Sequence, residues 1–201
     1  MIAKRLETLI ANEMRNTDIA RRNEAEMVQR FQKLRDFGVL PKSRGKNAED
    51  LSSLEIVSAM LSIITVKPGF AGVAAKTLIK LCPVGGPNAS FGKADSFGMA
   101  LATLIEDSNA LESLVEVRVS DSEIYTNSHG RGVIIYHDGN REKESYYVGE
   151  TAISLLQPGA EKKYDPRDRN SCMITETVFL PRFFEKIKRE LQREKMYQVS
   201  S

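Results

Sequence analysis

Nine residues, Gly86-Pro87-Asn88-Ala89-Ser90-Phe91-Gly92-Lys93-Ala94, come close to the phosphate cradle G-x-x-x-x-G-K-[ST]. In that cradle backbone N–H groups surround a phosphate, the lysine reaches it and the hydroxyl holds magnesium. Here the spacer is one residue too long and Ala94 replaces the hydroxyl. The segment before it also reads as helix rather than strand, so the stretch is expected to be a connector between helices. His129 and His137 are the only histidines. A zinc site takes three or four protein ligands, and by residue type Cys172 alone stands as a third. The histidines therefore read as surface residues. No serine sits in a G-x-S-x-G turn, no cysteine carries a catalytic motif, and the carboxylates form no convergent pair. The sequence gives no reason to expect a catalytic site, a metal or a cofactor.

One other residue pattern bears on chemistry. Between residues 21 and 46, Arg21, Arg22, Arg30, Lys33, Arg35, Lys42, Arg44 and Lys46 stand against Glu24, Glu26 and Asp36. Arg30 and Lys33 share a helix face, with Arg22 two turns earlier on nearly the same side. Lysine and arginine neutralise phosphates and release counterions, the main source of affinity for nucleic acid that does not depend on sequence. The bland reading is a solvated basic face on a helical bundle. Net charge of the whole chain is +2, so a basic surface has to come from local clustering. Tyr125, Tyr136, Tyr146 and Tyr147 fall among β-rich runs. Sheet aromatics can stack bases, but neighbouring carboxylates favour packing or a partner surface.

These residues need elements to position them. Ile2, Leu6, Leu9, Ile10 and Met14 recur at helical spacing, and a second helix carries Met27, Val28, Phe31 and Leu34 on one face. Gly38 supplies a left-handed cap and Pro41 follows. Residues 42–50 read as a basic loop. Ser52 and Glu55 form a capping box ahead of a buried helix running to Ile64 and ended by Pro68 and Gly69. Further helices are outlined by Phe70, Val73, Ala74, Leu78 and Leu81, and by Phe97, Leu101, Leu104 and Ile105, the last closing near Asp107. After residue 112 the period changes: Val115, Val117 and Val119 alternate with Glu116 and Arg118. Ile124–Tyr125, Val133–Tyr136 and Tyr146–Val148 add β-rich runs separated by turn residues, the pattern of an antiparallel meander. Residues 157–171 read as a charged loop. A last run, Met173–Leu180, leads into a helix with Pro181 in its first turn and Phe184, Ile187 and Leu191 on one face. That helix is expected to dock on the sheet.

The fold class expected is therefore α+β: an N-terminal helical module, residues 1–110, followed by an antiparallel β-meander with a C-terminal helix, residues 111–201. An apolar share of 41% is enough for a core. No stretch has the roughly 20 apolar residues of a membrane span. Two isolated cysteines and the lack of a signal-peptide plan at the N-terminus lead to the expectation of a cytoplasmic protein with no membrane partner.

The segment from Met27 to Ile64 resembles the winged helix-turn-helix of the MerR class of transcription regulators. Leu34-Arg35 with Gly38-Val39-Leu40-Pro41 stands where the reading helix ends in that class. Ser43-Arg44-Gly45-Lys46-Asn47 stands where the wing would be, and Ser52 to Ile64 where the supporting helix would be. The spacing before the glycine is shorter than the class pattern, no tyrosine follows the wing, and the downstream dimerising helix is replaced by short helices and a sheet. The resemblance implies a small DNA-binding regulator contacting double-stranded DNA through Arg22, Arg30, Lys33, Arg35, Lys42, Arg44 and Lys46. Its C-terminal half would then dimerise or bind a partner. The alternative is a non-enzymatic interaction module, an inhibitor or adaptor, without nucleic-acid contacts.

Overall fold

The computed structural model describes residues 2–15, 24–42, 49–65, 67–120, 130–149 and 176–199. The expected Ile124–Tyr125 run, the start of the Met173–Leu180 run and the 157–171 loop lie outside these residues.

Helix α1 (Ala3–Arg15) buries Leu6, Ile10 and Met14, the stripe its spacing predicts. In α2 (Glu24–Asp36) Met27, Phe31 and Leu34 are buried, but Val28 is 46% exposed. One residue step turns the helix by about 100°, which carries Val28 off the face assigned to it. The end of α2 is a complete Schellman cap. Gly38 sits at φ 66°, its N–H donates to Arg35 O, and the Val39 N–H donates to Leu34 O. Helix α3 (Ser53–Leu61) opens on the expected capping box. The Ser52 hydroxyl accepts from the Glu55 N–H, and the Glu55 carboxylate accepts from the Ser52 N–H at 2.7 Å. It stops at Leu61 rather than Ile64. Ile63 and Ile64 tighten into bonds to Met60 O and Leu61 O, three residues back.

A 3₁₀ turn (Pro68–Phe70) leads into α4 (Ala71–Leu78), followed by a two-residue strand, β1 (Cys82–Pro83), that the periodicity did not announce. Pro83 has no N–H to give to a ladder, and β1 lies at the edge of the sheet, where proline is tolerated. Two 3₁₀ turns (Pro87–Ala89 and Phe91–Lys93) precede α5 (Phe97–Glu106), which Ser96 caps through the Met99 N–H. A six-residue helix, α6 (Ser108–Ser113), capped by Asp107, follows.

The sheet comprises β1, β2 (Leu114–Ser120), β3 (Arg131–Asp138), β4 (Arg141–Val148) and β5 (Glu176–Phe179), in the order β1-β4-β3-β2-β5. All pairings are antiparallel. The expected meander is β2-β3-β4, and β1 and β5 add short edges. The β3–β4 hairpin closes over Gly139-Asn140, with Gly139 at φ 61° in the first central position, where the tight turn needs a glycine. Helix α7 (Pro181–Val199) packs against α1, α5, α6 and β2. The fold class is thus α+β, with helices first, then strands, then a terminal helix. The sheet face bearing Val117, Val119, Ile134, Tyr147 and Phe179 shares one hydrophobic cluster with the buried residues of α1 to α5 and with Phe184 and Ile187 of α7. Close approach is built into that contact: a Cβ on Gly132 would lie 2.5 Å from the Phe97 ring. Among the described residues, no helix is long and apolar enough to cross a membrane.

Candidate nucleic-acid interface

Among the described basic residues of the α2 segment, Arg30 does not share the surface on which Lys33 and Lys42 lie. Arg30 is 0% exposed. Its guanidinium donates to the Glu26 carboxylate at 2.6 and 3.0 Å, to Ser62 O at 2.7 Å and to Thr65 O at 2.8 Å. Ser62 and Thr65 belong to the turn that leaves α3, where helix-end carbonyls lack intrahelical donors. Arg30 therefore ties α2 to the end of α3, and its charge is turned away from any phosphate. It is removed from the proposed reading edge. The reason is legible in the sequence: Arg30 lies three residues after Met27 and four before Leu34, on the apolar stripe itself.

Lys33 is half-buried and pairs with Asp36 at 3.4 Å. Arg35 is also half-buried, and its Nε is buried without a hydrogen-bond partner among the described residues. Lys42 is exposed just past Pro41. Arg22, Arg44 and Lys46 lie outside the described residues. Lys33, Asp36 and Lys42 do form one electrostatic cluster with Gln32. A hydrogen bond from Gln32 holds the Asp36 carboxyl below its ordinary pKa, assisted by the Lys33 bond and by the charges of Lys33 and Lys42. Two residues that charge counting missed stand on this side of α2. Gln29 is exposed and Gln32 half-buried, both opposite the Met27–Phe31–Leu34 stripe. Their amides have the donor–acceptor pair that matches the edge of adenine in the major groove.

The glycine-rich stretch has different chemistry from a phosphate cradle. The N–H groups of Gly86, Ala89, Ser90, Lys93 and Ala94 each donate to the carbonyl three residues back. The Ser90 hydroxyl lies 2.7 Å from Pro87 O and 2.8 Å from Ala94 O, and its one proton is donated to one or shared between them. These donors are already engaged, and a phosphate would have to displace them. Gly92 and Lys93 both take positive φ to close the second turn.

Tyr136 and Tyr147 pack inward, edge-on to Phe91 at 4.9 Å and tilted against Phe97 at 5.1 Å, so neither offers a stacking face to a base. The Tyr147 hydroxyl is buried near Ser90 and Phe91 without a well-formed hydrogen bond among the described residues. Burial raises its pKa well above the usual phenol range. Tyr146 bonds the Glu144 carboxylate, and in the β3–β4 hairpin Asp138 and Lys143 form an exposed pair that lowers the acid's pKa and raises the amine's. His137 is exposed at the end of β3, while His129 and Cys172 lie outside the described residues. Among the described residues, no group of three His, Cys, Asp or Glu side chains is placed to hold a metal ion. Compared with known protein families, with curated proteins and with solved structures, the chain matches none.

Proposed function

We propose that the protein is a small DNA-binding regulator whose reading element is α2 with the basic segment that follows it. The observation that carries this reading is the arginine tie between helices. With Arg30 bonded to the end of α3, α2 has one fixed orientation. Its opposite side offers Gln29 and Gln32, flanked by Lys33 and leading to Lys42. Arg44 and Lys46 follow four residues or fewer beyond Lys42 in sequence. A helix with an amide-bearing outer face beside a basic segment fits direct readout supported by phosphate contacts. Arg30 acts in this scheme by positioning α2. Selection from a random duplex pool, followed by anisotropy on the enriched sequence, tests the reading. Arg44→Ala with Lys46→Ala should weaken binding to every duplex, whereas Gln29→Ala should relax preference at one position by roughly 1–3 kcal/mol. A pool that emerges without enrichment rejects it.

A second reading, a protein-interaction module, is favoured by a different observation. Val178 and Leu180 are 46% and 44% exposed beside a cleft of about 230 Å³ that Met14, Ile63, Phe179 and Phe183 help to line. Exposed apolar surface of this kind marks contact sites. Binding that ignores salt, and that Val178→Asp abolishes, would favour this reading over DNA.

A further inference from the structure

Positive charge is not confined to the segment that the sequence motif covers. Helix α2 itself holds three basic residues against Glu24, Glu26 and Asp36, so the surplus of its segment comes from the residues that flank it in sequence. Helix α7 holds six lysines and arginines against three glutamates, and α1 three against two. Together these two helices have a surplus of four positive charges, in a chain whose total is +2. They pack against each other and enclose a groove of about 490 Å³. Lys4 and Arg5 contribute from α1, and Lys186, Arg189 and Arg193 from α7. Glu13 and Glu190 are the carboxylates on its walls among the described residues.

We infer that this α1–α7 groove is a contact surface for the phosphate backbone of duplex DNA. This rests on the DNA-binding reading above and supplies the charge that α2 lacks. Lys186, Arg189 and Arg193 follow one stripe of α7, over roughly 10 Å of helix at 1.5 Å per residue. That length suits a run of backbone phosphates better than a single phosphate ion. The cations already have partners: Lys186 pairs with Glu13, Arg189 with Glu185 and Arg193 with Glu190. Arg189 and Arg193 are 64% and 63% exposed, and exposed pairs of this kind contribute little stability. A phosphate can therefore take the place of the carboxylate. An anionic membrane would need an apolar face to insert, but Leu6, Ile10 and Met14 of α1 and Phe184 and Ile187 of α7 are in the core.

The test uses the full chain carrying Arg189→Gln and Arg193→Gln, two exposed positions whose replacement leaves the core untouched. Circular dichroism and the urea midpoint confirm that the variant is folded. Anisotropy is then followed on an arbitrary labelled duplex and on a selected one. The variant should bind both more weakly by the same factor. Its slope of log K against log salt should be shallower by about 2, from roughly 0.9 for each lost phosphate contact. Retention of the wild-type affinity and slope would overturn the groove and leave α2 in place. Salt-dependent binding that the variant loses, without any sequence enrichment, would support the groove and reject α2 as a reader. Capture by phosphatidylserine vesicles, with no binding to duplex, would overturn both.

Discussion

Arg30 shows how far one side chain's surroundings decide its role. Its guanidinium, itself shielded from solvent, serves one partly exposed carboxylate and two helix-end carbonyls. Replacing it with methionine removes the ion pair with Glu26 and the bonds to Ser62 O and Thr65 O. Breaking a buried pair from one side costs about 3–5 kcal/mol, and the partial exposure of Glu26 points to the lower end. Urea unfolding of Arg30→Met should show a loss near 3 kcal/mol, and a loss below about 1 kcal/mol would mean that the tie is weak. Tyr147 makes the opposite case. Its hydroxyl is buried without a well-formed bond among the described residues, so Tyr147→Phe should leave stability at neutral pH unchanged or raise it by up to about 1–3 kcal/mol. The sign of the pH effect follows from its raised pKa. Above pH of about 10 the unfolded phenol ionises while the folded one keeps its proton. The folded state then binds more protons, and stability falls as pH rises. Tyr147→Phe should flatten that alkaline loss in thermal melts from pH 9 to 11, and an identical loss in both proteins would contradict the assignment.

Elements differ in how plainly the sequence announces them. Ser52 and Glu55 marked the start of α3 because a capping box needs those two types at that spacing, and the reciprocal bonds are present. Ser52→Ala should therefore lower stability by about 0.5–2 kcal/mol in urea titration, and an unchanged midpoint would place the helix start elsewhere. The strands of the meander were visible from their period of two, and α7 from Pro181 and its apolar stripe. Strand β1 and helix α6, two and six residues long, are too short to display a period. Gly132 was equally silent, because its role depends on Phe97, brought beside it from a distant helix. Gly132→Ala would press a methyl into that ring, and overpacking of this sort costs about 1–3 kcal/mol. A variant as stable as the wild type would show that Phe97 moves aside freely. The candidate interface was less legible than the fold. Charge can be counted in a sequence, but Arg30 faced inward and the amides of Gln29 and Gln32 faced outward for reasons of helical phase.

At the scale of the whole molecule, a nearly neutral chain carries surplus positive charge on α1 and α7 as well as in the sequence that flanks α2, while α2 itself has none. The proposed division of labour follows: α2 discriminates between bases, while the α1–α7 groove and the residues after α2 hold phosphates. Association driven by phosphate contacts weakens steeply with salt. Specific sites also bind far more tightly than arbitrary duplexes, so a failure with one arbitrary duplex decides little. The most direct measurement is a salt titration of wild-type protein on a duplex enriched from a random pool, followed by fluorescence anisotropy. The account predicts enrichment of a definite sequence and a linear fall of log K with log salt, with a slope of about −3 or steeper, from roughly 0.9 per phosphate. A pool without enrichment, combined with binding that does not change with salt, would contradict it.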